Sequence, residues 1–155
     1  MSLESVRAFF AEKAPDISVI ESTMSSATVV LAAEAYSVEP ARIAKTLSLR
    51  IGDHVVLIVA SGTARMDNKK VKALFGIKPK MLGLGEVADI TGHEVGGVCP
   101  FGLKTPLPVY CDISLKAFDE VVPAAGSTHS AVRIAPSRMA ELTAAEWVDV
   151  CEVSA

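Results

Sequence analysis

Lys45-Thr46-Leu47-Ser48-Leu49-Arg50-Ile51, Gly52-Asp53 and His54-Val55-Val56-Leu57-Ile58-Val59-Ala60 form the stretch that decides the fold. The first segment alternates with a strict period of two, which predicts a β-strand. Gly52-Asp53 is a two-residue turn of the favoured hairpin type. Val55 to Ala60 is the longest uninterrupted apolar run in the chain. It predicts a returning strand buried on both faces.

Working outward, Ser2 is expected to cap a helix running to about Lys13, with Leu3, Val6 and Phe10 as its buried stripe. Ala14-Pro15-Asp16 ends it, and a short strand follows near Ile17–Ile20. Ser25 or Ser26 is expected to cap a second helix with Val30, Leu31 and Ala35 facing inward. Glu39-Pro40 opens a short helical turn with Pro at its first position. Beyond the hairpin, Asp67 caps a third helix with Val71, Leu74 and Phe75 inside, closed by Gly76. A short helix is expected near Glu86–Thr91, then strands near Val109–Ile113, Phe118–Val122 and Val132–Ala135. Pro136 begins a last helix to about Leu142, and Trp147–Val153 reads as a final strand. Helices and strands intermix without a regular βαβ rhythm. The expected fold is therefore α/β of the α+β kind: a mixed sheet curled toward a barrel with surrounding helices. No internal repeat or linker divides the chain, so one domain is expected over 1–155.

Composition narrows the function classes. Half of the 155 residues are apolar and 21% are charged, which excludes disorder. Fifteen Lys+Arg against 18 Asp+Glu leave a net charge of −3, so the molecule as a whole is no polybasic nucleic-acid binder. No stretch approaches the ~18–20 apolar residues of a membrane span. The N-terminus lacks the layout of a signal peptide, making the cytoplasm the default location. Cys99, Cys111 and Cys151 are odd in number and contain no CxxC, which argues against a disulfide framework or a zinc knuckle. His54, His93 and His129 have no metal-ligand spacing, so no metal is expected. His54 reads as solvated, and Cys111 and Cys151 as core residues.

Four features could carry chemistry. Lys45 shares parity with Leu47, Leu49 and Ile51, so it heads the core-facing row; Thr46, Ser48 and Arg50 form the other, wet row. It either snorkels out at the strand end or projects into a polar cavity, where an ammonium suits a phosphate or an oxygen gaining charge. Gly96-Gly97-Val98-Cys99-Pro100-Phe101-Gly102 is either an ordinary tight turn or a nest of backbone amides facing an anion or a polarised carbonyl. Cys99 within it would need a neighbouring base to act as a nucleophile, and no sequence signature supplies one. His129, in Gly126-Ser127-Thr128-His129-Ser130, is either a turn residue or a contact in a cleft. Finally, Arg65, Lys69, Lys70, Lys72, Lys78 and Lys80 face only Asp67 within 65–80, giving a local charge of 6 − 1 = +5. After Arg138 every charged residue is acidic. This cluster is either a solvated helix face or a patch for a phosphate backbone.

Three blocks carry a family resemblance: Ala41-Arg42-Ile43-Ala44-Lys45-Thr46-Leu47, the loop 96–102, and Ala125-Gly126-Ser127-Thr128-His129-Ser130 followed by Val132-Arg133-Ile134-Ala135-Pro136. In order and separation they resemble the YbaK/prolyl-tRNA synthetase-associated domain family of aminoacyl-tRNA deacylases, over nearly the whole chain. The resemblance implies trans-editing, the hydrolysis of a wrong, small amino acid from the 3′ end of tRNA, often tRNA(Pro). It implies Lys45 as the functional lysine and Gly96–Pro100 as the loop holding the aminoacyl carbonyl through backbone amides. It also implies no cofactor and no protein nucleophile, the attack coming from the substrate's thiol or from water assisted by the terminal ribose hydroxyl. The expected site is then Lys45 as catalytic residue, with Thr46, Gly96, Gly97, Val98, Cys99, Pro100, Phe101 and His129 against the substrate. The cationic cluster would meet the tRNA. Aminoacyl-tRNA is the expected partner, with prolyl-tRNA synthetase as a further one. Two rivals remain: a non-catalytic module that binds tRNA or a synthetase, and a hydrolase of some small ester or amide working through Cys99.

Overall fold

The structure, a computed structural model, describes residues 2–153. Helix α1 (Ser2–Lys13) leads through strand β1 (Ile20–Glu21) to helix α2 (Val29–Ala35). A 3₁₀ turn at Pro40–Arg42, opened by its proline, feeds strands β2 (Ile43–Ile51) and β3 (His54–Ser61). Strand β4 (Ala64–Met66), helix α3 (Asn68–Phe75), strand β5 (Lys80–Met81) and helix α4 (Leu84–Thr91) follow. Past the glycine-rich loop come β6 (Val109–Asp112), β7 (Val122–Pro123), β8 (Ser130–Ala131), α5 (Pro136–Thr143), β9 (Glu146–Val148) and β10 (Cys151–Val153).

The hairpin forms in the register its turn demands. Pairing runs from Ala44↔Ser61 to Ile51↔His54, and Gly52 takes φ +61 between them. The main sheet has the order β5-β2-β3-β6-β9, with β7 also on β2. It is mixed: β2 is antiparallel to β3 and β5 but parallel to β7, and β6 is parallel to β3 and β9. Two small pairs, β1–β8 and β4–β10, curl away from it, and no closed barrel results.

Both faces of the hairpin are covered. Ala44, Leu57 and Val59 pack with Val6, Phe10 and Phe101 beneath α1. Leu49, Ile51, Val56 and Ile58 pack on the other side with Val71 of α3 and Val148 and Val150. Leu57 to Ala60 have no exposed surface. Full burial of each branched side chain among them contributes about 1.5–3 kcal/mol. The double cover corrects one expectation: Ser48, assigned to a wet row, is buried because that row faces the α1 core.

Several elements shift from expectation for identifiable reasons. Ser2 is the first residue of α1, and its hydroxyl donates to the Gly126 carbonyl instead of capping the helix. Thr28, not Ser25 or Ser26, caps α2 by accepting from the Leu31 amide at 3.2 Å. Val30 and Leu31 face outward while Ala32 and Ala33 face Ile43 and Val122, because small side chains let α2 approach the sheet closely. Leu74 is also exposed, leaving Val71 as the buried anchor of α3. The strand expected at Phe118–Val122 shrinks to β7, since the Asp112 carboxylate accepts from the Ser114 amide and starts a 3₁₀ turn at Ile113–Ala117. The same carboxylate accepts from the Val150 amide at 2.8 Å, splitting the expected last strand into β9 on β6 and β10 on β4. Among the described residues no helix is long and apolar enough to cross a membrane.

Candidate active site

The local topology of β2 leaves a notch. β5 pairs with Leu49 and Arg50, and β7 pairs with Ile43 and Ala44. The Leu82 amide donates to the Ser48 carbonyl. Among the described residues no strand covers the outer edge between these contacts. Main-chain groups alternate sides along a strand. Ser48 O points outward to Leu82 N, whereas Ile43 O points to Gly62 N on the β3 side. The backbone N–H and C=O of Thr46 therefore face the notch.

A cavity of about 350 Å³ opens there. Its walls come from α2 (Val29, Ala32, Tyr36), β2 (Ile43 to Thr46, Ser48), the β5–α4 segment (Met81, Leu82, Leu84, Val87), Gly96 and Val98, and Ser130 and Ala131. Most of that surface is apolar. Three atoms stand out as buried polar groups without a hydrogen-bond partner among the described residues: Thr46 Oγ1, Tyr36 Oη and His93 Nδ1. The first two belong to residues of the cavity wall.

Lys45 lines the cavity and is partly buried. Its Nζ donates to the carbonyls of Gly62 (3.4 Å) and Ala64. Burial holds its pKa below the ordinary lysine value; Cys151 acts in the opposite direction, and the Arg65 guanidinium adds to the lowering. The ammonium is thus held at the turn between β3 and β4, on the carbonyls of Gly62 and Ala64.

The glycine loop reaches the cavity only in part. Gly96 (φ +88) and Val98 line it. The Gly97 amide donates to Glu94 O at 2.9 Å, and Gly97 O accepts from the Gly126 amide at 3.0 Å. Among the described residues no acceptor meets the Gly96 or Val98 amide. A Cβ on Gly97 would stand 2.6 Å from the Ser127 nitrogen, so the sequence needs glycine here to let the 96–98 and 126–128 backbones touch. Pro100 is buried and, lacking an N–H, offers no donor. Phe101 is buried in the α1 core, its ring tilted against that of Phe10 with centroids 4.7 Å apart.

Cys99 is wholly buried, and burial pushes its thiol up to about 12. Its Sγ lies 3.6 Å from His93 Nε2, but that nitrogen is 2.7 Å from Phe101 O and must carry a proton to donate there. Neutral His93 therefore pins the loop and cannot take the thiol proton, so the Cys99-nucleophile rival fails on geometry. His129 is exposed and outside the cavity wall, with Nδ1 2.9 Å from Thr128 Oγ1; its neighbour Ser130 lines the wall instead, paired with Ser127 at 2.6 Å.

In the cationic cluster, Lys70 is spent on Asp149 at 3.0 Å and on Cys151 O, so the acidic tail neutralises part of the patch. Arg65, Lys69, Lys72, Lys78 and Lys80 are exposed and make no ion pair among the described residues. By contrast Arg7, Arg42, Arg50, Arg133 and Arg138 each have a carboxylate partner. Lys80 adjoins Met81 and Leu82 of the cavity wall.

Sequence reasoning missed Tyr36, Ser26, Ser130 and the β5–α4 wall. Only Tyr36 left a readable signal, one helical turn after Ala32 on the inward face of α2.

Residues 23–142 match the model of the aminoacyl-tRNA editing domain. An uncharacterised Bacillus subtilis protein, YwhH, is 50% identical over 98% of both chains. An Enterococcus faecalis protein provisionally named a Cys-tRNA(Pro)/Cys-tRNA(Cys) deacylase is 30% identical, over 76% of this chain and 73% of its own. A crystal structure described as a candidate trans-editing enzyme for prolyl-tRNA synthetase superposes with a TM-score of 0.90 at 32% identity, covering 97% of each chain. The family-model match, the 30% identical relative and the shared fold establish that this chain belongs to the aminoacyl-tRNA editing domain family.

Proposed function

We propose that the protein is a trans-editing hydrolase that removes a small, wrongly attached amino acid from tRNA, with tRNA(Pro) as the leading carrier. The observation carrying this reading is the meeting of Lys45, Thr46 and the free amides of Gly96 and Val98 on one cavity. An aminoacyl ester is already activated, so the site needs to position it, stabilise the oxyanion and exclude larger side chains. In this reading the Gly96 and Val98 amides hold the aminoacyl carbonyl. The Thr46 backbone bonds the substrate edge in the way a missing strand would. The Lys45 ammonium leaves its two carbonyl partners to meet the developing negative charge or the terminal phosphate. Attack by water, oriented by the terminal ribose hydroxyl, requires no protein nucleophile, in keeping with the high pKa of the buried Cys99 thiol. The unpaired cations at 65, 69, 72, 78 and 80 would receive the acceptor-stem phosphates. A prolyl-tRNA synthetase is a candidate protein partner, since a Bacillus licheniformis proline–tRNA ligase matches 68% of this chain with 19% of its own length at 28% identity.

The test is release of free amino acid from tRNAs charged with Ala, Ser, Cys and Pro. A folded Lys45→Ala protein should lose roughly 10²–10³-fold in rate, the usual cost of one oxyanion donor. Wild-type turnover by that variant on every substrate refutes the assignment of Lys45.

A further inference from the structure

Helix α1 takes no part in the cavity wall, yet its first turn is joined to both of the glycine-bearing loops that do. Ser2 and Ser5 stand three residues apart and so share one face of the helix. The Ser2 hydroxyl donates to the Gly126 carbonyl. The Ser5 hydroxyl lies 3.0 Å from Gly102 O and 2.8 Å from Ser2 O, its one proton serving either. The outside partners are 124 and 97 residues away along the chain. The backbones are as close as the hydroxyls. A Cβ on Gly126 would stand 2.6 Å from Ser2 O, and one on Gly102 would stand 2.6 Å from Ser5 O. Gly126 is thus held between two neighbours, with α1 on one side and Gly97 on the other. Its amide donates to Gly97 O at 3.0 Å, and a Cβ on Gly97 would meet Gly126 C at 2.8 Å.

The loop that carries the Gly96 and Val98 amides is therefore fixed to α1 at two points, directly at Gly102 and through Gly126 at Gly97. Those two amides meet no acceptor among the described residues, so their aim is set by how the loop is anchored. Consecutive glycines are pliant, and donors that stabilise an oxyanion act only when held close to the productive geometry. We infer that Ser2 and Ser5 are positioning residues for the amides that hold the substrate carbonyl, with α1 as the base on which both loops are set. Neither serine touches the cavity; each acts through a carbonyl of a loop that does.

This inference takes its reaction from the deacylase reading above, but its structural half is read without substrate. The variants are Ser2→Ala, Ser5→Ala and the two combined; alanine is the best helix former, so α1 keeps its helix. Thr143→Ala is the control. Its hydroxyl also donates to a carbonyl, Met139 O at 2.8 Å, but on α5, no residue of which lines the cavity. In steady-state deacylation the combined variant should lose about tenfold in kcat with KM nearly unchanged, because oxyanion donors act in the transition state. Thr143→Ala should keep both constants. A wild-type kcat in the combined variant, a loss carried by KM alone, or an equal loss in Thr143→Ala overturns the inference. In the second arm, amide hydrogen exchange at Gly126 is compared with that at Leu57 of β3, whose amide donates to Pro108 O. Gly126 should exchange about tenfold faster in the combined variant, relative to Leu57, and at the wild-type rate in Thr143→Ala. If wild type hydrolyses none of the charged tRNAs, the deacylase reading falls, and faster exchange at Gly126 upholds the anchoring by itself. Unchanged exchange at Gly126 overturns the inference whatever the turnover.

Discussion

Gly97→Ala tests whether the cavity depends on close contact between two loops. The new Cβ would stand 2.6 Å from Ser127 N and 2.8 Å from both Gly126 C and Ser127 C, all backbone atoms that no rotamer change can move. Ordinary contact begins at 3.4 Å, so the 96–98 and 126–128 segments must part by about 0.8 Å. Such overpacking costs about 1–3 kcal/mol. At about 2–4 °C per kcal/mol for a chain of this size, Tm should fall by roughly 2–12 °C. The same opening would move the Gly96 and Val98 amides, proposed to hold the substrate carbonyl, by most of an ångström, a displacement that can cost about 10²-fold in rate. Gly85→Ala is the control: a Cβ there meets nothing within 4 Å, and its place in α4 favours alanine, so Tm should hold or rise. The assays are thermal unfolding and single-turnover deacylation. A Gly97→Ala protein with wild-type Tm and wild-type rate would show that the two loops do not define the site.

Stability should also depend on pH through His93. Burial lowers its folded pKa, with the Phe101 carbonyl only partly offsetting this, so below the unfolded value near 6.5 the unfolded chain binds the extra proton. Stability should be fully present above about pH 6.5 and decline as pH falls toward 5; a His93→Gln variant whose Tm drops as steeply over that range would rule His93 out as the source. For the cationic patch, converting Lys69, Lys72 and Lys80 to Glu should weaken tRNA binding uniformly across sequences and reduce the slope of log K against log salt by about 3. Filter binding at several salt concentrations measures that slope, and an unchanged value excludes these lysines from phosphate contact.

Local signals in the chain were reliable where physics is local. The Gly52-Asp53 turn with its alternating and apolar flanks dictates the hairpin, because a period of two and a two-residue turn leave one register. Asp67 and Gly76 dictate the ends of α3 for the same reason, through one side-chain acceptor and one left-handed φ. Pro40 and Pro136 likewise mark helix starts. The motifs Gly96-Gly97 and Gly126 were legible as backbone requirements, but not what they touch. Their partners lie about 30 and 120 residues away along the chain, at Ser127 and at Ser2.

The cavity is a product of strand order. It exists because β5 and β7 each cover one end of β2 and neither covers Thr46, and pairing between distant short strands leaves no periodic trace. Strand parity placed Lys45 on the row of Leu49 and Ile51, and the residue is partly buried. Only the folded chain supplied the carbonyls of Gly62 and Ala64 that hold its ammonium. It likewise buried Cys99 beside His93 and turned Tyr36 toward an apolar wall, since burial and hydrogen-bond satisfaction are properties of the assembled core and not of any window of sequence.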